Sequence, residues 1–234
     1  FHAILDRHTA LTELSKFGQE IMARRALRDA WFWMSRCTRT KDEQDLVNPY
    51  KPFPENWPYF QPILMALENE PVLFLEKSRT VMASWLVSAW AAWKMFTKPA
   101  VKVVFQSEDE DRAVHDIEYV KVLWEQSLES LKARWPLAKP LDKQPYFHIE
   151  MANGSSAIAI PGNPDKMRSE HPTIAVLDEA AIIQRGEQSF NVTIATRAPH
   201  VIALSSANPG WFRNMTEFAV PVDWPEYGKC RDSA

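Results

Sequence analysis

Glycine is scarce in this chain, with six among 234 residues. Loops that wrap a phosphate usually depend on glycine's freedom at positive φ, so any phosphate-binding role has to rest on other residues. Cysteine is scarcer, with only Cys37 and Cys230, which excludes a disulfide framework and fits a reducing compartment. No apolar run approaches the roughly 20 residues that span a bilayer, and no leader pattern is recognisable, so export and membrane insertion are not indicated. Neither sign of charge dominates: 27 Lys and Arg against 30 Asp and Glu leave a net charge of −3. A nucleic-acid contact would therefore need a local patch rather than a global basic excess. What is abundant is tryptophan, ten residues, in a chain otherwise ordinary for a globular protein at 46% hydrophobic and 24% charged. The length suits one large α/β domain, or a core with a smaller appendage.

Residues 1–36 read as helical, since Leu11, Leu14, Phe17, Ile21 and Leu27 recur at near-helical spacing between charged residues. A polar stretch, 37–48, leads to NPYKPFPENWPYFQP. Four prolines within 49–58 exclude regular helix there and favour a stiff extended connector. Read locally this is a linker. The alternative is a base pocket, with aromatic faces for a planar ring and Gln61 offering a donor and an acceptor.

Pro71 to Glu76 is an apolar strand. It runs through Lys77, Ser78, Arg79, Thr80, Val81, Met82, Ala83 and Ser84 into a helix carrying Leu86, Trp90 and Trp93. Strand, short basic and hydroxyl-bearing loop, then helix is the layout that holds an anion at a helix N-terminus. The pattern G-x-x-x-x-G-K-[ST] can be laid over Lys77–Ser84. Ser84 fits and could bind Mg²⁺, but Lys77 and Met82 stand at the two glycine positions and Ala83 at the lysine. Solvated loop cations are the alternative for Lys77 and Arg79.

Val101–Gln106 reads as a second strand, followed by a helix over about 112–135 with Ile117, Val120, Trp124, Leu128, Leu131 and Trp135 on one stripe. The acids before it read as capping. Residues 146–151 and 156–160 flank Asn153-Gly154, a hairpin signal. The stretch PGNPDKMRSEHP reads as a loop, 187–195 as helix and His200–Ser205 as a strand, with a polar tail from Trp211. His148 and His171 read as structural. Strands alternating with helices predict a mostly parallel α/β sheet flanked by helices, with one hairpin and an N-terminal helical extension. The expected boundaries are 1–48 for the extension, 49–212 for the core and 213–234 for a tail or linker.

In HPTIAVLDEAA, the uncharged run Ile174–Leu177 predicts a strand buried on both faces, ending in Asp178-Glu179. Alternation along a strand lets adjacent acids take different tasks. At the C-terminal edge of a parallel sheet, where ligands bind, one acid could steady Mg²⁺ and the other prepare a water molecule. A strand running into an acidic helix cap is the other reading.

Taken in order, NPYKPFPENWPYFQPIL, LEKSRTVMASWL, HPTIAVLDEAA and ALSSANPG resemble the ATPase domain of the large terminase subunit, the DNA-packaging motor of tailed bacteriophages. The resemblance spans roughly residues 40–212 and implies a P-loop ATPase fold using ATP and Mg²⁺. It implies that Gln61 contacts adenine, that Lys77 and Arg79 neutralise phosphates, and that the backbone of 79–84 cradles them. Ser84 and Asp178 would hold Mg²⁺, Glu179 would activate water, and Ser205, Ser206, Ala207 and Asn208 would couple hydrolysis to motion. Arg168, eleven residues before Glu179, would act on a neighbouring subunit's ATP. The implied partners are double-stranded DNA, the portal protein, the small terminase subunit and further copies in a ring, in the cytoplasm of the infected bacterial host. The family's nuclease domain is expected to be absent. A helicase-like translocase and a non-hydrolysing module that docks on the portal are the rival readings.

Overall fold

The apolar runs assemble as strands of one sheet in the computed structural model, which describes residues 16–78 and 80–222. The chain enters through α1 (Lys16–Ala26) and α2 (Ala30–Arg36), a short ribbon of β1 (Thr40–Lys41) and β2 (Tyr50–Lys51), and α3 (Phe60–Asn69). Then follow β3 (Val72–Glu76), α4 (Ala83–Thr97), β4 (Lys102–Gln106), α5 (Glu110–Glu125) and α6 (Glu129–Lys132). The second half holds β5 (His148–Glu150), β6 (Ser156–Ile160), α7 (Pro164–Glu170), β7 (Ile174–Asp178), α8 (Gly186–Ala195), β8 (His200–Ser205) and α9 (Trp211–Phe218).

Six strands form the main sheet in the order β3-β8-β7-β4-β6-β5. All neighbours run parallel except β5, which returns antiparallel to β6 around the expected Asn153-Gly154 turn. Strand alternation sorts the side chains into two layers. Val103, Phe105, Ile174, Val176, Ile202 and Leu204 join the large core with the helices α1 to α5. Val104, Ala175, Leu177, Val201 and Ala203 face the opposite way, onto α7, α8 and α9. Burial on both faces is why these strands read as unbroken apolar runs.

Tryptophan explains how the N-terminal helices are fastened. The Trp33 indole is fully buried, meets Phe96 and Trp135 edge-on at 5.8 and 5.9 Å, and donates to the Ser127 hydroxyl at 3.1 Å. The Trp93 indole donates to the Ala26 carbonyl at 2.7 Å. Residues 16–36 therefore share the core of the sheet domain. Among the described residues no helix is long and apolar enough to cross a membrane.

Four expectations need correction. The helix expected over 1–36 is interrupted at residues 27–29, where Asp29 caps α2 by accepting from the Phe32 N–H at 2.9 Å. Phe17 and Ile21 face outward, 74% and 50% exposed, while Ala23 and Ala26 are buried; Leu11 and Leu14 lie outside the described residues. The helix expected over 112–135 begins earlier and breaks after Glu125, because the Leu128 N–H turns away to the Cys37 carbonyl at 3.1 Å. The expected loop PGNPDKMRSEHP contains α7, with Asn163 as N-cap and Pro164 at the first helical position. That Asn-Pro pair is a start signal visible in the sequence. The tail from Trp211 begins as α9, and Cys230 with the rest of 223–234 lies outside the described residues.

Candidate active site

The C-terminal ends of β3, β8 and β7 lie side by side, with Glu76 opposite Ser205 and Leu204 opposite Asp178. β8 is inserted between the strand that feeds the basic loop and the strand that ends in two acids. The Lys77 N–H donates to the Ser205 carbonyl at 2.9 Å, so the loop leaves the sheet tied to β8.

Lys77 then turns its side chain across the end of β8. Its ammonium donates to Glu179 Oε1 at 2.8 Å and lies 3.7 Å from Asp178 Oδ1. The Asp178 carboxyl follows Ile174 and Val176 onto the α4–α5 face, where the Ser84 hydroxyl donates to it. Asp178 also accepts from the Glu179 N–H at 2.8 Å. Ser205 Oγ accepts from the Ala181 N–H at 3.2 Å and donates to Glu179 Oε2 at 3.4 Å, and the Ser206 N–H donates to the same carboxylate. Lys77, Ser84, Asp178, Glu179, Ser205 and Ser206 thus form one connected cluster, drawn from three separate stretches of sequence.

Burial pushes the Asp178 carboxyl above its ordinary value, against the pull of the Lys77 charge and the Ser84 hydroxyl. Glu179 goes the other way. Burial alone would raise it, but the hydrogen bond and charge of Lys77 outweigh that and hold it below the usual glutamate value of 4.5. Two neighbouring acids are therefore driven apart, the relation expected of groups with different tasks.

The loop achieves without glycine what glycine usually supplies. Met82, the residue standing at the second glycine of the pattern, is the N-cap of α4 with φ 52°, and Thr80 has φ 66°. Left-handed backbone at residues with a Cβ costs roughly 1–3 kcal/mol each and persists only where surroundings enforce it. One enforcing contact is the Tyr59 hydroxyl, which donates to the Val81 carbonyl at 3.2 Å. Glu179 is left-handed as well, φ 49° and ψ 40°. The N-cap Met82 offers no side-chain acceptor to α4, whose first turn follows directly on the basic loop.

Other predicted residues fall elsewhere. Arg79 lies outside the described residues. Ser78 and Thr80 are exposed, Ala83 is buried, and Ala207 and Asn208 follow in the exit from β8. Gln61 is exposed on the first turn of α3 and lines an open cavity of about 550 Å³ with Trp31, Glu68 and Trp90. Among the described residues no loop residue lines that cavity, and Tyr59 contacts the loop at Val81. Arg168 is 65% exposed beside Asp165. It lies within one turn of Glu170, which pairs at 2.7 Å with Lys102 at the start of β4, the end of that strand opposite the acid-bearing edge of the sheet. The buried Asp116 is the residue sequence reasoning passed over, while Tyr59 enters it only among the aromatics before Gln61, as a base contact and not as a support of the loop. Tyr59 sat in view within the aromatic stretch, whereas nothing in the pattern of α5 distinguishes Asp116 from a surface acid.

Neither a family model nor a curated protein matches the sequence. Solved structures do. The chain superimposes on the crystal structure of the HK97 bacteriophage large terminase with a TM-score of 0.58 at 11% identity, over 76% of this chain and 37% of that one. Looser likenesses are to the Thermus phage P74-26 large terminase ATPase domain (TM-score 0.46, 15% identity, 80% of this chain and 78% of that) and to the large terminase of the thermophilic bacteriophage D6E in complex with ADP (0.44, 13%, 64% and 38%). At these identities the likeness is one of fold. The chain has the fold of the part of the HK97 terminase that it covers, little more than a third of that protein's length. Large terminases are the family that the four ordered motifs resemble, and the expected α/β architecture is the one observed.

Proposed function

We propose that this chain is the ATP-hydrolysing unit of a motor that drives double-stranded DNA into a viral procapsid. The observation that carries this reading is the placement of Lys77 between Asp178 and Glu179, with Ser84 on one acid and Ser205 on the other. The fold likeness to a phage large terminase supports it.

Phosphoryl transfer asks a protein mainly for positioning and charge stabilisation. The bare first turn of α4 and the Lys77 ammonium supply positive potential for a triphosphate, with Arg79 as a second cation. Ser84 and Asp178 offer a hydroxyl and a carboxylate that already touch, a hard-oxygen set suited to Mg²⁺. They would hold that ion, which when bound neutralises charge on the phosphate oxygens. Glu179 takes a proton from the attacking water at a carboxylate oxygen.

In the structure Glu179 Oε1 is occupied by Lys77 and Oε2 is near Ser205. The base and the phosphate-binding cation therefore mask each other until a more strongly charged anion draws the ammonium away. Loss of the γ-phosphate lets Lys77 return, and Ser205 to Asn208 register the change because Ser205 is bonded to both sides. Gln61, or the neighbouring Tyr59 that already touches the loop, contacts the base. Arg168 serves the adjacent copy in a ring, a contribution worth about 10³–10⁵ in rate for such arginines. The portal protein and the small terminase subunit complete the expected assembly.

The test is ATP turnover with Mg²⁺, with and without double-stranded DNA, across a dilution series. Turnover that rises with DNA and falls on dilution supports the motor and the trans-acting Arg168. Nucleotide binding without turnover under every condition would make the chain a docking module instead.

A further inference from the structure

Among the described residues Asp116 is the only carboxyl in the fully buried class, 2% exposed. It lies on α5, facing α4. Its Oδ1 accepts from the Ser88 hydroxyl at 3.0 Å, and its Oδ2 is buried without a partner. A carboxyl with one hydrogen bond and one orphaned oxygen is an unfavourable core residue; a leucine would fill the space without that penalty.

Its surroundings say what it does. Ser88 is one helical turn beyond Ser84, on the same face of α4. Successive turns of that helix thus give one hydroxyl each to one carboxyl, Ser84 to Asp178 and Ser88 to Asp116. Trp85, next to Ser84, stacks on Tyr119 with centroids 4.0 Å apart, and Tyr119 follows Asp116 by three residues on α5. After burial, the nearby charge of Asp178 is the largest influence raising the Asp116 carboxyl above its ordinary range, so the two carboxyls lie within electrostatic reach.

We propose that Asp116 is a positioning residue for the cation-binding serine: by holding Ser88 it fixes the rotation of the first two turns of α4 and so aims the Ser84 hydroxyl beside Asp178. The inference rests on reading the cluster as a site for Mg²⁺ and nucleotide. It distinguishes two things that a structural role would blur. Misaiming Ser84 weakens the contribution of the cation, whereas general loosening of the core weakens nucleotide binding with or without it.

The experiment is a binding titration of the whole chain with a fluorescent, non-hydrolysable ATP analogue, in Mg²⁺ and in EDTA. It compares the unaltered protein with Ser88→Ala, Asp116→Ala, the double variant and Asp116→Asn. Ser88→Ala and Asp116→Ala each lower affinity in Mg²⁺ by about five- to tenfold and leave affinity in EDTA within about twofold. The double variant is no weaker than either single one, because both remove the same interaction. Asp116→Asn keeps the acceptor oxygen and the size of the side chain, and stays within about twofold of the unaltered protein in both media. Equal losses in Mg²⁺ and EDTA, or no loss in either, overturn the proposal. Thermal melts identify a variant that fails to fold; if Asp116→Ala does, Ser88→Ala and Asp116→Asn decide. An unaltered protein that binds no nucleotide overturns the site reading and this inference together. One that binds nucleotide, with variants indistinguishable from it, overturns the inference alone.

Discussion

The two ends of α4 solve the same problem in opposite ways. At the C-terminal end the helix carbonyls are met by neutral donors. The Asn153 amide donates to the carbonyls of Met95 and Lys98 at 3.0 and 3.1 Å, and the Ser155 hydroxyl donates to Lys98 at 2.7 Å. The turn that makes this possible uses Gly154 at φ +81°, where a glycine is at ease. At the N-terminal end no side chain caps the helix, and the turn is forced through Met82 and Thr80 at positive φ. Beside it, among the described residues, a lysine and two acids hold one another. One end is capped by side chains and the other is not, and both adjoin left-handed residues, Ala100 at φ 56° after the first and Thr80 and Met82 before the second. Capping groups fasten a helix in place; an uncapped N-terminus is the end suited to an anion.

If that contrast is right, changes at the two ends should separate cleanly. Glu179→Ala gives the largest effect: turnover falls about 10²–10⁴-fold, the usual worth of a positioned base, while titration shows nucleotide binding retained because Lys77 is released. Loss of both would merge the two ends into a single structural role. Asn153→Ala acts at the far end. It destabilises the chain by about 0.5–1.5 kcal/mol in denaturant melts, the net worth of a hydrogen bond to partly exposed carbonyls, and leaves the affinity of the folded protein for nucleotide unchanged.

Acid sharpens the comparison further. Glu179 is held below its ordinary value of 4.5, so the stabilisation it gains from Lys77 is complete above that value and is lost as pH falls through the lowered one. With Glu179 partly exposed, the effect is about 1 kcal/mol or less. The melting difference between the unaltered protein and Glu179→Gln should therefore shrink as pH falls below 4.5, while the difference for Asn153→Ala, which involves no titrating partner, stays level. The smallest effect is expected from Met82→Gly. Glycine relieves the left-handed strain but frees the unfolded chain, so stability shifts by about 1 kcal/mol or less, with nucleotide binding preserved. Loss of binding in that variant would mean that the methionine side chain, and not the backbone turn, holds the loop.

Much of this was readable before the structure. β4, β7 and β8 are buried on both faces and announce themselves as apolar runs, β3 and β6 are apolar though only partly buried, and Asn153-Gly154 marks its own hairpin. Asp178 and Glu179 stood out because two acids end an uncharged strand. The failures have physical causes. The break after Glu125 depends on Leu128 finding a carbonyl on Cys37, about ninety residues earlier, and periodicity carries no record of such a partner. α7 was missed because its charged middle masks the Asn163-Pro164 start. The left-handed turns at Thr80 and Met82 were invisible for a deeper reason: neither residue prefers that conformation, so only the surroundings dictate it. Asp116 was hidden because burial is decided by the face of α5 that meets α4, and a charged residue on an amphipathic helix is ordinarily assigned to solvent.

Ser205 has a consequence for timing. Its carbonyl anchors the first residue of the basic loop, and its hydroxyl touches both the backbone after the acids and the Glu179 carboxylate. A shift of β8 along its axis would therefore reach both walls of the cleft through one residue. On the proposed function, the strand would act as a common clock for the grip on the anion and the readiness of the base, with Ser205 as the escapement.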